Sequence, residues 1–235
     1  MGLRQLAACP FELGTTLKGT DAYGNLINNE VLGGCFTFNN VVTTSPTNGV
    51  RKFHTNEPLV CMAVRNRSGV TLYGKRLASF DITTAGLTGI TDVKGYADTL
   101  FEKSAPIDEF ISSNGVADKD ICWVVISGVA TLMTSEVNTN FNGDIAAGAD
   151  LVAATAASST GSTTGGRVSN VTFFNATAGE TGACFRAYNL ARGLVATALS
   201  AKTTDNTSAD ILARVRVAWL QIGRASCRER VSSPV

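Results

Sequence analysis

The sequence predicts an all-β fold, a β-barrel or β-sandwich of short strands with long polar loops and an extended N-terminal arm. Charged residues make up only 17% of the 235 positions, while Gly alone occupies 23 of them. That balance suits many strands and turns better than a helical enzyme. The apolar runs are short, rich in β-branched and aromatic residues, and bounded by Gly, Asn, Asp, Ser or Pro. No repeat, heptad or long amphipathic helix interrupts them, which leaves a barrel or a sandwich as the architecture.

Residues 1–58 read as an N-terminal arm with its first strand. Through residue 33 the apolar positions are scattered among Gly14, Gly19, Gly24 and Gly33, with turn material at Asp21–Gly24 and Asn28–Asn29. Arms of this composition wrap a neighbouring subunit or stay mobile. Cys35–Val42 alternates as a strand and ends in the turn-rich Thr43–Gly49.

Residues 59–221 read as the β-rich main domain. Leu59–Asn66 is a strand, Arg67–Gly69 turns the chain, and Val70–Tyr73 with Arg76–Phe80 returns it, the pattern of a hairpin. Gly86, Gly89 and Gly95 divide residues 84–100 into short strands and turns. Ala97–Lys103 suits one helical turn, Pro106–Ile111 a strand and Ala117–Asp120 a loop. Ile121–Ser135 is the most apolar stretch and reads as two short strands joined through Gly128. The loop from Gly143 to Asp150 then sets up the next strand. Residues 154–166 form a polar, low-complexity surface loop, and Arg167–Phe174 a further strand. Ala191–Leu199 fits either strand or helix, and Thr203–Ser208 is a turn. Ile211–Trp219 is the last strand, with Arg214 and Arg216 on one face and Val215 and Val217 on the other.

Residues 222–235 are set apart as a non-native tail. Ile222–Val231 breaks the β pattern with four charges and no periodicity, and it back-translates codon by codon into a sequencing-library adapter, which points to a metagenomic assembly. Without the tail the formal charge changes from +1 to −1, with 17 basic and 18 acidic residues remaining. The native chain end beyond Gln221 is left open.

A near-neutral charge and scattered basic pairs, Arg51–Lys52 and Lys75–Arg76, give no electrostatic footprint for nucleic acid. No apolar run reaches the ~20 residues that span a bilayer. The N-terminus lacks the hydrophobic segment of an export signal, so synthesis in a cytoplasm without export by the general pathway is expected. Cys9, Cys35, Cys61, Cys122, Cys184 and Cys227 form no Cys-x-x-Cys pair, and a single His cannot complete a zinc set. Cys61 and Cys122 lie in apolar strands and are expected to be buried free thiols.

The motifs that carry chemistry elsewhere are incomplete here. Gly69–Lys75 has phosphate-loop spacing, but Arg76 stands where a magnesium-binding Ser or Thr belongs, and no helix follows. His54, the only histidine, has Glu57 as its nearest acidic neighbour and no Gly-x-Ser-x-Gly elbow to serve. Asp108 and Glu109, and Asp118 and Asp120, are paired carboxylates without a calcium-loop pattern, and are expected to be solvated in turns. Four Asn-x-Ser/Thr sequons, at Asn66, Asn170, Asn175 and Asn206, carry little meaning without export. The sequence therefore nominates no catalytic, cofactor-binding or metal-binding residue, no cofactor, and no enzymatic activity.

The run Leu59–Leu77 resembles tailed-phage structural proteins in which a strand ends in an Arg-Asn-x-Ser-Gly turn before an apolar stretch and Lys-Arg. Ile121–Ser135 with Gly143–Ala153 resembles the core of phage head-decoration proteins, and Ala198–Val215 is similar to their closing hairpin. The likeness spans about residues 59–219, while residues 1–58 have no counterpart. It implies a virion structural protein on the capsid surface that binds and stabilises the major capsid protein lattice. It further implies a homo-oligomer, with a trimer expected; the exclusion of nucleic acid and membrane as partners rests on the charge and the short apolar runs given above. A tail-fibre or adhesin module that binds a glycan is the alternative expectation.

Overall fold

The computed structural model describes residues 9–39, 41–44, 51–53, 57–80, 90–98, 102–134, 144–154, 165–170, 193–202 and 209–217. The fold is all-β, as expected. In chain order the strands are β1 (Cys35–Phe38), β2 (Val41–Thr44), β3 (Arg51–Phe53), β4 (Leu59–Asn66), β5 (Leu77–Phe80) and β6 (Asp92–Tyr96). They continue with β7 (Ser104–Pro106), β8 (Ile121–Met133), β9 (Asp150–Ala153), β10 (Val168–Asn170), β11 (Ala196–Ala198) and β12 (Asp210–Arg216). No helix among the described residues is long and apolar enough to cross a membrane.

Ten strands share one curled mixed sheet in the order β10-β9-β11-β12-β8-β4-β6-β5-β7, with β1 also on β4; β2 and β3 pair only with each other. Both arms of the path return to β8. Ile107, just past β7, bridges Val124, and Asp108 N–H donates to the Trp123 carbonyl. At the other end Thr134 bridges Val168 of β10. The first half of β8 thus closes a ring with β4, β6, β5 and β7, and its second half closes another with β12, β11, β9 and β10. Gly166 ties the two, accepting from Leu77 N–H and donating to the Ala97 carbonyl. Its φ of 74° is a left-handed value, and a Cβ there would lie 2.6 Å from the Tyr96 ring and 2.8 Å from the Leu77 carbonyl. Only Gly fits that joint.

The run 121–126 is buried on both faces, so it reads as continuously apolar. β12, with one face solvated, alternates cleanly: Ile211, Ala213 and Val215 are buried while Arg214 and Arg216 are exposed. That face of β12 was legible in the sequence. The joint at Gly128 was not. Instead of ending one strand and beginning another, Gly128 lies inside a single 13-residue strand. Beside it the register shifts, so that Val60 faces Ser127 while Cys61 faces Val125, leaving Ile126 as the extra residue of a bulge. The bulge bends β8 without ending it.

Three other expectations change. β4 and β5 do not form a hairpin: β5 pairs with β6 and β7, and β6 joins β4 in parallel at Arg65 and Asn66. The cause is local. Asn66 Nδ2 donates to the carbonyls of Val70 (2.7 Å) and Val116 (3.0 Å), and Gly69 N–H donates to Asp118 Oδ1 (2.9 Å). These bonds steer the turn toward Val116, away from β4. Pro106–Ile111 is a strand only at its start, because Asp108 accepts the Phe110 N–H and turns the chain. Cys35–Val42 divides between β1 and β2, which belong to different sheets. Ala191–Leu199 resolves to strand at Ala196–Ala198. The middle of the helical turn expected at Ala97–Lys103, the Thr203–Ser208 turn, most of the 154–166 loop, and the 222–235 tail lie outside the described residues.

Two ion pairs decorate the outer surface, Lys75 Nζ to Asp210 Oδ2 and Arg214 Nη1 to Glu57 Oε2, each at 2.5 Å. All four side chains are well exposed, so water and salt screen both pairs. Arg214→Gln should therefore lower unfolding free energy by less than about 1 kcal/mol in urea titration.

Candidate functional site

The most densely specified region is the outer edge of the first half of β8, where the N-terminal segment is seated. Phe11 stacks on Trp123 with ring centroids 4.3 Å apart, and Phe36 and Phe38 of β1 meet the same indole edge-on at 5.4 and 5.2 Å. Trp123 is 0% exposed, and its Nε1–H donates to the Phe11 carbonyl at 3.2 Å. A buried indole needs such an acceptor. Leu17 exchanges both backbone bonds with Ile121. Residues 9–33, expected as an arm, include this segment packed on the chain's own core.

Two carboxylates pin the segment. Asp108, 0% exposed, accepts the Gly14 N–H at Oδ2 (2.5 Å) and the Phe110 N–H at Oδ1 (3.0 Å). Asp120 accepts Lys18 Nζ at Oδ2 (3.0 Å) and the Gly19 N–H at Oδ1 (3.4 Å). Both were expected to be solvated in turns, and both are buried. Their partners in the N-terminal segment lie 94 and 101 or more residues away in sequence, and that long-range cover excludes the solvent. Glu109 is half-buried and Asp118 exposed. Among the described residues, no group of three His, Cys, Asp or Glu side chains is placed to hold a metal ion.

Desolvation raises the Asp108 carboxyl to about 6 from an ordinary 3.8, against the lowering effect of its two N–H donors. A folded-state value above the unfolded one means the folded chain binds the proton more tightly. The associated stability is fully present below 3.8 and is lost as pH rises through 6. At about 1.4 kcal/mol per unit this amounts to about 2–3 kcal/mol. The stability difference between the unsubstituted chain and Asp108→Asn should shift by that amount in favour of the unsubstituted chain on going from pH 7 to pH 4, read from urea midpoints. An unchanged difference would remove Asp108 as the titrating group.

Arg65, 2% exposed, is the third buried charge beside the segment; Lys202, 3% exposed, lies apart from it, bridged to Ile145. Its Nη1 donates to Asn29 Oδ1 (2.8 Å) and its Nη2 to the Ile27 carbonyl (2.6 Å), fastening the turn before β1 to β4. Burial lowers its pKa, opposed by the charge of Asp92. The three ions share one use: each holds a piece of residues 9–33 against the sheet. Arg76 lies over the rings of Tyr96 (5.2 Å) and Tyr73 (5.9 Å), and the Tyr73 N–H donates to Tyr96 Oη.

The motif residues fall apart in space. Gly69–Arg76 contains Lys75 in its surface ion pair and Arg76 on two tyrosines. Cys61 and Cys122 are buried free thiols; burial raises the pKa of both, and the charge of Asp108 adds to it. Cys9 and Cys35 are free and exposed. Asn66 is buried and Asn170 half-buried. His54, Cys184, Cys227, Asn175 and Asn206 lie outside the described residues. Sequence reasoning missed Trp123, Phe11 and Arg65 as a seat for the N-terminal segment, because Phe11 and Leu17 are isolated apolar residues without a period. Comparison with protein families, with curated proteins and with solved structures finds no match.

Proposed function

We propose that the chain is a non-enzymatic virion structural protein, a phage capsid decoration or head-associated protein that binds and stabilises the major capsid lattice. It is made in the host bacterial cytoplasm and acts as a homo-oligomer on the capsid surface. The observation that supports this reading most is the use made of three of the four charged residues buried among the described ones. Asp108, Asp120 and Arg65 each direct hydrogen bonds to the chain's own N-terminal segment. Such an arrangement suits a rigid module that presents a shaped surface and gains strength by avidity on a repeated lattice. The resemblance expected from the sequence of residues 59–219 points to the same class of protein. Mass spectrometry of gradient-purified virus particles from the source community is expected to find this chain in the capsid fraction. Its consistent absence from particles whose genomes encode it would overturn the reading.

One observation favours the glycan-binding alternative. Tyr73 is 37% exposed beside the Arg76 guanidinium, a flat aromatic surface on which a sugar ring can lie. A reproducible glycan-array hit abolished by Tyr73→Ala would move the assignment to an adhesin module.

A further inference from the structure

Among the described residues, β1 has one hydrogen-bonding edge that no strand occupies. Ala63 N–H donates to the Gly34 carbonyl, and the register from Cys35↔Met62 to Phe38↔Leu59 continues from there. In an antiparallel pair the backbone groups of alternate residues face the partner. Phe36 and Phe38 therefore bond to β4, and Cys35 and Thr37 direct their N–H and C=O groups outward. Among the described residues no strand pairs with that outer edge. The strand reads Cys-Phe-Thr-Phe, with neither a charge nor a proline. Edges meant to stay single ordinarily carry Lys, Pro or a bulge.

We infer that β1 pairs with β1 of a second copy, antiparallel about a twofold axis at Phe36, joining two sheets into one. The edge is self-complementary in that register. Cys35 faces Thr37 of the second copy and Thr37 faces its Cys35, so all four outward groups on each strand are satisfied by four hydrogen bonds. No like charges meet across the axis. Phe36, half-buried against Trp123, faces its own symmetry mate in a non-hydrogen-bonded pair with Cα atoms about 4.5 Å apart. Cross-strand aromatic pairs at that spacing pack directly, and the Trp123 cluster becomes continuous through the axis. The contact is twofold, in place of the trimer that the resemblance implies. It goes beyond the virion reading and is tested on the isolated chain, so either can fail alone.

Sedimentation velocity of the full chain under reducing conditions at tens of micromolar is expected to give a dimer. Thr37→Pro removes an outward N–H while leaving the β4 ladder intact, since proline is tolerated at such edge positions, and it should give a monomer with an unchanged far-ultraviolet spectrum. A wild-type monomer, or a Thr37→Pro chain that remains dimeric, overturns the inference. Should Thr37→Pro fail to fold, Thr37→Cys decides. Its new thiol faces Cys35 of the second copy at about 5.5 Å between Cα atoms, within disulfide reach. Oxidation should then crosslink most of the chain into a dimer that the unsubstituted protein does not form. An equal yield from both overturns the register.

Discussion

Trp123→Ala should destabilise the chain by about 4 kcal/mol, the cost of emptying a large, fully buried aromatic site. The side chain is 0% exposed and touches three other rings from two different segments. Its removal therefore does more than open a cavity. Phe11 loses its stacking surface and the acceptor at its carbonyl loses its donor, so the N-terminal segment should detach before the strands melt. Two readings check this: a lowered urea midpoint, and limited proteolysis that cuts within residues 9–20 under native conditions. Trp123→Phe keeps most of the stack and loses only the Nε1–H bond, so its cost should be less than half as large. Equal costs for the two substitutions would mean that the hydrogen bond, rather than the aromatic packing, holds the segment.

Gly128→Val should be comparably severe. Gly128 has φ 120°, and a Cβ there would lie 2.9 Å from the Pro58 carbonyl oxygen and 3.1 Å from the Leu59 Cα. Both obstacles are backbone, which cannot swing aside. Forcing an L side chain into that conformation costs about 1–3 kcal/mol, and the clash adds to it. Gly128→Ala should already lower stability by about 3 kcal/mol, with Val worse. Wild-type stability in Gly128→Ala would show that the bulge can relax and that β8 does not need this bend.

The strands with a simple solvent relationship were legible. β12 shows its alternation because one face is wet, and β4 and β8 show continuous apolar runs because both faces are covered. What stayed hidden was decided by residues far away in the chain. Nothing near Asp108 or Asp120 announces that Gly14, Lys18 and Gly19 will cover them, so their composition reads as solvated turn. The parallel contact of β6 with β4 rests on two residue pairs, too few to leave a pattern. Gly128 reads in the sequence as a joint between two strands, but strand continuity across it depends on β12 taking up the ladder from Ser127 to Met133. The candidate site was less legible than the fold, because Arg65 sits where the strand pattern calls for an apolar residue and Phe11 belongs to no pattern at all.

The position of β8 in the chain also bears on how the protein comes off the ribosome. Every partner in its first ring, β4 to β7, is translated before it, and every partner in its second, β9 to β12, is translated after it. The first ring can close as soon as Ile121–Ser127 emerges, leaving Gly128–Met133 as a template on which the later strands assemble. Nascent chains arrested after β8 has cleared the exit tunnel should already protect Trp123 from solvent quenching. The later strands then dock by slow, long-range pairing, the class of step that sets the folding rate of β proteins.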